Sequence, residues 1–398
     1  MWLVLLIGTP FGCAAATNSN ASQLSGQSQQ FGIWSWRRIV AGVGGWQQQA
    51  RCRERLERLA TSTLGCESIQ REAIADLQRL VGFDRWVWSL ADPETLLPLG
   101  GVAEHDYGPR VPRALELEYS GGDFAAKDVL ARRANPAGSL STETGGDLAR
   151  SPRWDQVMRP VGIGDIAVVA CRDAHGCWGW VVAYRDSDDR PFRGGDLEFL
   201  ASIGHALGAA LRRGLGFTPP PDRDAAKPSA TGVILLNADL RAVDTTAAAR
   251  AWIGAFPAAG LFAAWGILPA TIYPVATRAR ACRAATGAHA LERMTDGRWV
   301  MIEAAPLEER GRGEIAVILR AATPRETFDR RCRIYGLSPR ERELVAALLT
   351  GLDTRAVTER LFVSRHTVQD HLKSVFEKMS IHSRREMLAM FSAPQDRD

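Results

Sequence analysis

Lysine is almost missing from this 398-residue chain: Lys127, Lys227, Lys373 and Lys378 stand against forty-five arginines. So lopsided a choice between two cations reads as coding bias, not function, yet two of the four lysines lie close together near the C-terminus. Net charge is also scarce, at +4 over the whole chain. Charge alone therefore points neither to nucleic acid nor to an anionic surface. Residues 325–391 carry thirteen basic against nine acidic side chains, a mild local excess. No apolar run approaches the roughly 18 residues that a membrane helix needs. Seven cysteines are scattered without a C-x-x-C pair or a His/Cys cluster, which argues against zinc. The lysine-bearing phosphate loop, G-x-S-x-G and H-E-x-x-H are absent, and with them several common enzyme designs. The glycines of Val161-Gly162-Ile163-Gly164-Asp165 lack the strand–turn–helix setting of a nucleotide fingerprint. The chain is expected not to be an enzyme, to carry neither metal nor cofactor, and to be cytoplasmic.

What is present is concentrated at the C-terminus, where short amphipathic segments follow one another with tight breaks. Ser338-Pro339-Arg340-Glu341 opens the first as a capping box with proline at the first helical position. The second starts at Asp353, an N-cap type, just past Gly351. Its Val357 and Leu361 lead into Phe362 and Val363, which must fill the turn. The third follows Ser364, whose hydroxyl can accept from an unpaired backbone N–H. Val368, Leu372, Val375 and Met379 then recur at i, i+4, i+7 and i+11 as one narrow stripe. The opposite face carries His366, Asp370, Lys373 and Glu377, flanked by Arg365 and Gln369. An apolar stripe with a polar free face, presented after a tight turn, is how a helix-turn-helix is built. Double-stranded DNA is the first candidate partner.

These residues resemble the LuxR-type helix-turn-helix. The pattern L-[ST]-x-R-E-x-E-[VL] sits at 337–344, the Gly-Leu before the second helix at Gly351-Leu352, and R-L-F-[VI]-S at 360–364. T-V-x-x-H-L-x-x-[IV] follows at 367–375 and S-R-x-E at 383–386. The resemblance implies an all-α four-helix domain over 336–392 whose third helix faces the major groove through Gln369, Asp370 and Lys373. Glutamine can bond adenine bidentately, and aspartate can accept from cytosine N4. Many LuxR-type helices have Lys after Thr-Val where this chain has Gln369 and then Asp370. An acid repels phosphate, so its cost must be recovered by a specific contact; otherwise Asp370 pairs with Lys373 at i, i+3. Arg365, Thr367 and Arg384, at helix starts, are assigned to phosphates. A fourth helix, from Ser383 to about Phe391, carries Met387, Leu388, Met390 and Phe391, more apolar surface than a three-helix core needs at its edge. By resemblance such domains pair there. Met387 and Phe391 are expected at the contact of a homodimer, the alternative being that they cap the first helix.

Upstream the pattern is α+β. Residues 1–48 begin with a short apolar run, continue as low-complexity Ala, Ser, Gln, Gly and Asn, and read as a disordered extension or an over-called start. Charged and amphipathic helices are expected over 49–62 and 68–80. Strands follow at 85–90, 95–102, 165–171 and 178–184, with a turn at 174–176, and a closing helix runs over 196–213. That order resembles a GAF-like sensor domain spanning 49–215. Residues 216–231, with Pro219-Pro220-Pro221, read as a linker. A strand, an Asn-Ala-Asp-Leu turn, a short strand and a small-residue helix follow over 232–253. With strands near 298–306 and 314–319, they resemble a PAS-like domain spanning 232–320. The Ala- and Gly-rich stretch 256–290 has no clear place, and 321–335 reads as a second linker.

Trp86 with Trp88, and Trp178 with Trp180, fall on one face each by alternation. They either line an aromatic ligand pocket or fill a core. Cys171 and Cys177 flank the hairpin turn and could face each other. In a reducing compartment the default is two free thiols. His105, His175 and His205 are isolated from any metal-ligand spacing. The fold expected is a multidomain α+β chain ending in the four-helix domain, and the function a sequence-specific DNA-binding transcriptional regulator. Its upstream domains would sense a signal or mediate dimerisation, with a small-molecule ligand and RNA polymerase as further candidate partners. The competing reading is a signalling scaffold that acts through protein contacts without regulatory DNA binding.

Overall fold

Two sets of five strands, each flanked by helices, precede a group of short helices at the C-terminal end of the described chain. The computed structural model describes residues 45–104, 107–217, 230–281, 288–307 and 313–391. The extension expected over 1–48 lies almost wholly outside them, as do most of the connector 216–231, Cys13, His105 and Cys282. Helix α1 (Gly45–Leu59) buries Cys52, Leu56 and Leu59, and α2 (Cys66–Leu77) buries Ile69, Ala73 and Leu77, each at helical spacing. Then come β1 (Arg85–Ala91), β2 (Pro98–Ala103), α3 (Val111–Tyr119), α4 (Lys127–Arg132), β3 (Ala137–Ser139) and α5 (Leu140–Glu143). The hairpin β4 (Ile163–Asp173) and β5 (Gly176–Asp186) leads into α6 (Gly194–Gly216). These strands form one antiparallel sheet in the order β2-β1-β5-β4-β3.

β4 and β5 are buried along almost their whole length, because both faces of this sheet are covered. One face packs on α1, α2 and α6 through Trp86, Trp88, Val169, Cys171 and Trp178. The other packs on α4, α5 and the loops through Ile166, Val168, Trp180, Val182 and Tyr184. Alternation places Trp178 and Trp180 on one face. They lie on opposite ones, because the register slips between Cys171 and Arg172: Cys171 pairs with Gly179 while Arg172 pairs with Cys177. That irregularity inserts one residue and turns the strand over. It also separates the two cysteines. Cys171 belongs to one core and Cys177 to the other, both as free thiols, so the facing pair considered from the sequence does not form.

The second sheet comes from β6 (Gly232–Leu236), β7 (Ala242–Thr245), α7 (Ala247–Ala255), α8 (Ala259–Ala264), α9 (Ile272–Ala281), β8 (Ala288–Arg293), β9 (Trp299–Pro306) and β10 (Ile315–Ala321). Its order, β7-β6-β10-β9-β8, repeats that of the first sheet strand for strand. One face carries Ile234, Leu236, Val300, Ile302, Val317 and Leu319 against α7 and α9. On the other, Leu291, Trp299 and Met301 join the core of the first sheet. The Ala-rich stretch without a clear place supplies α8 and α9, and α9 docks on α3 through the Arg280–Glu116 ion pair at 2.6 Å.

The stretch 321–335, read as a linker, is instead largely helix α10 (Pro324–Ile334), capped by Thr323 and Glu326. After it come α11 (Pro339–Leu349), α12 (Thr354–Leu361), α13 (Arg365–Met379) and α14 (Arg384–Phe391). Their common core includes Leu344, Leu348, Val357, Val368, Val375, Met379, Met387 and Phe391, together with Cys332 of α10.

Candidate nucleic-acid interface

Each helix of the C-terminal domain starts where its cap residue stands. Ser338 Oγ accepts from the Glu341 N–H, while Glu341 accepts from the Ser338 N–H at 2.6 Å. Asp353 Oδ1 accepts from the Ala356 N–H at 2.8 Å, and Ser364 Oγ from the Thr367 N–H at 3.0 Å. Between α12 and α13 the chain reverses through Phe362, a non-glycine residue at φ 54° whose ring is 94% exposed. Its αL conformation ends α12, so that Ser364 can start the next helix two residues on.

Glu341 has a second role that the motif did not reveal. Its carboxylate, 3% exposed, also accepts from Ser374 Oγ at 2.6 Å and from Lys378 Nζ at 2.6 Å, both on α13. Burial acts against its charge, but these bonds and the cap prevail and hold its pKa down to about 2. The cap of α11 thus clamps the C-terminal half of α13 and sets its angle. One of the two lysines on that helix is therefore engaged with Glu341.

The other lysine faces solvent. Gln369, Asp370 and Lys373 are all exposed on the side of α13 away from the Val368, Val375 and Met379 stripe. Asp370 stands 3.7 Å from His366, one turn earlier, in place of the pairing with Lys373 weighed from the sequence. A groove of about 660 Å³ runs beside this row, lined by Leu372, Phe376 and Ile381 along with Gln369 and Lys373. Arg365 is exposed at the start of α13, and Thr367 is half-buried with its hydroxyl 2.9 Å from that of Ser364. Arg384 is differently placed: it donates to the Leu352 carbonyl at 2.6 Å, bracing the loop before α12. Met387 and Phe391, expected between two copies, are buried at 0% and 3% exposure within the chain. The Phe391 ring lies 5.3 Å from that of Phe328, in the first half of α10, and 6.5 Å from that of Tyr335, just past its end.

Trp86, Trp88, Trp178 and Trp180 fill the cores of the first sheet, each at most 1% exposed. The indole N–H groups of Trp86, Trp178 and Trp180 donate to Glu104, Asp173 and the Lys127 carbonyl, which makes such deep burial tolerable. Beyond Trp180 lies a buried ionic cluster in which Glu118 meets Lys127 at 2.6 Å and Arg153 at 2.9 Å. Among the described residues no group of three or more His, Cys, Asp or Glu could hold a metal ion. None of the described helices is long and apolar enough to cross a membrane.

Four capped helices around one core, the third with an open polar face, define a helix-turn-helix domain. Residues 336–391 match the family described as bacterial regulatory proteins, luxR family, so the C-terminal domain is of the LuxR type. Over 57 residues the chain is 37% identical to the probable transcriptional regulatory protein SgaR of Hyphomicrobium methylovorum. That match covers 14% of this chain and 27% of that relative, so the likeness is confined to a single domain.

Proposed function

We propose that the protein is a sequence-specific DNA-binding transcriptional regulator, not an enzyme, which places α13 in the major groove and acts as a homodimer on paired half-sites. The observation that carries this reading is the exposed row Gln369, Asp370 and Lys373, on a helix whose angle is set by a buried carboxylate. A rigid support for side chains that must meet base edges is what direct readout requires. Arg365 and Thr367 at the N-terminus of α13 are placed for phosphate, where unpaired N–H groups favour anions. One such domain covers few base pairs, so paired half-sites supply the missing specificity. The two sheet domains are read as GAF-like and PAS-like sensors of a signal. Their shared strand order, and the capping of each sheet by helices, support that reading.

Selection from a randomised duplex pool tests it. The wild-type chain should enrich a paired motif. Lys373→Ala should weaken binding to it by on the order of 1–3 kcal/mol, and adding Arg365→Ala should weaken it further. Asp370→Ala distinguishes two roles for that acid. Relaxed preference at one position of the motif marks base readout, whereas uniformly tighter binding with an unchanged motif marks simple repulsion of phosphate. Undiminished binding by the Lys373→Ala, Arg365→Ala double variant would reject the interface.

A further inference from the structure

Helix α10 is shared by three parts of the molecule. Its N-terminus is tied to the second sheet: Glu326 caps Thr323 and accepts from Arg320, which also holds Glu303 of β9. Its middle enters the junction of the two sheets. Arg330, 6% exposed, pairs there at 2.5 Å with Asp92, which is 1% exposed and follows β1. Both ends of this pair also engage one residue of β8, the edge strand of the second sheet. The Leu291 N–H donates to Asp92 Oδ2 at 2.9 Å, and Arg330 Nη1 donates to the Leu291 carbonyl at 3.5 Å. An ion pair therefore occupies the place of a neighbouring strand at that edge. Near its C-terminus α10 is held by the first domain, where Arg212 donates to the Ile334 carbonyl at 2.7 Å and Arg333 to the Pro93 carbonyl at 3.1 Å. The other side of α10 covers Phe391 with Phe328 and Tyr335.

We propose that the Asp92–Arg330 pair is the latch of an autoinhibitory contact, which fixes α10 to the β8 edge and so keeps it over the face of α14 that a second copy would need. This rests on the homodimer proposed above and on α14 as the pairing helix that the LuxR-type resemblance implies. Buried opposite charges are stable only while their remaining hydrogen bonds are satisfied. A signal that shifts β8 withdraws both Leu291 contacts at once and favours release of α10. A ligand moves such an equilibrium only as far as it prefers the released state. The latch makes that preference depend on the edge of one sensor sheet.

The test uses the full-length chain and three substitutions. Asp92→Asn keeps an acceptor for the Leu291 N–H and removes the charge. Arg330→Gln removes the other charge. Arg212→Gln cuts the tie to Ile334 outside the buried pair, in case either of the first two fails to fold. Hydrogen exchange over 321–335, self-association by sedimentation, and affinity for the motif selected from the random pool are read together. The folded variants should exchange faster in α10, self-associate at protein concentrations at least tenfold lower, and bind the paired motif at least tenfold more tightly. Arg212→Gln should move each readout in the same direction by less. A merely structural pair would instead speed exchange across the sheets and gain no affinity, which overturns the proposal, as do folded variants with unchanged self-association. Should the wild type and every variant enrich no motif, the DNA reading fails, while exchange and self-association still decide the latch.

Discussion

The two sheet domains share a strand order and differ in what lies against their faces. The first sheet is enclosed: β4 and β5 are buried along almost their whole length, and tryptophans stand on both sides. The second is enclosed on the α7 and α9 side only. Its other face is covered where β8 and β9 meet the first domain, and is open toward β6 and β7, where Val233 and Val243 are exposed. A sheet clamped on both faces can change shape only by repacking, and cores do not deform continuously. A sheet with one open end and a bonded edge can move locally at little cost. The contrast suggests a division of labour in which the first sheet is the frame and the second the moving part.

Truncating a side chain in each sheet should expose the difference most strongly. Trp180 is fully buried and gives its N–H to the Lys127 carbonyl, so Trp180→Ala should cost about 3–5 kcal/mol in urea melts. Ile318, half-buried on the open side of β10, should cost about 1 kcal/mol on the same change. Comparable losses at the two positions would erase the distinction between an enclosed and an open sheet.

How far each region could be read in advance follows the same physics. The helical domain was legible because its signals are local: Ser338, Asp353 and Ser364 cap helices by bonding residues three positions away. The long strands of the first sheet were legible from apolar runs. The face of Trp180 was not, because a register slip leaves no mark in the alternation. Helices α3, α4 and α9 and strands β3 and β8 escaped because contacts with distant partners, not their own patterns, define them. Helix α10 need not have escaped. Thr323, Pro324 and Glu326 spell the same capping box that identified α11. Without α10 on top of it, Phe391 looks free in the sequence. The clamp from Glu341 to Ser374 and Lys378 spans more than thirty positions, beyond the reach of spacing rules.

A second difference is titratable. Glu292 of β8 is 2% exposed at the border of the two domains and accepts from the Gly100 N–H at 2.8 Å. Burial, with no cation among the groups that act on it, pushes its pKa from 4.5 up to about 7, against bonds from Thr271 and Gly100 that hold it down. An acid whose folded pKa is raised contributes fully below its unfolded value. That contribution is lost as pH climbs from about 4.5 through 7. Glu292→Gln keeps the acceptor and removes the charge. It should therefore stabilise the chain by on the order of 2 kcal/mol at pH 8 and change it little at pH 4.5. An equal effect at both values would mean that the carboxyl does not titrate in this range, and that the border between the sheets is no softer than the frame.

The smallest effect belongs to the open end itself. Val243 lies on β7, an edge strand exposed along most of its length, and is 59% exposed. Natural edges are usually blunted by charge, above all by lysine. Here β7 carries none, and Asp244 is its one charged side chain. A lysine introduced at 243 meets solvent and displaces nothing, so Val243→Lys should leave a urea melt within about 0.5 kcal/mol of the wild type. It should also lower any tendency to aggregate, since it guards an edge that now presents unpaired backbone beside an apolar side chain. A loss above 1 kcal/mol in dilute solution would mean that this face is covered in the working molecule. The second sheet would then be enclosed like the first, and the frame would no longer be distinguishable from the moving part.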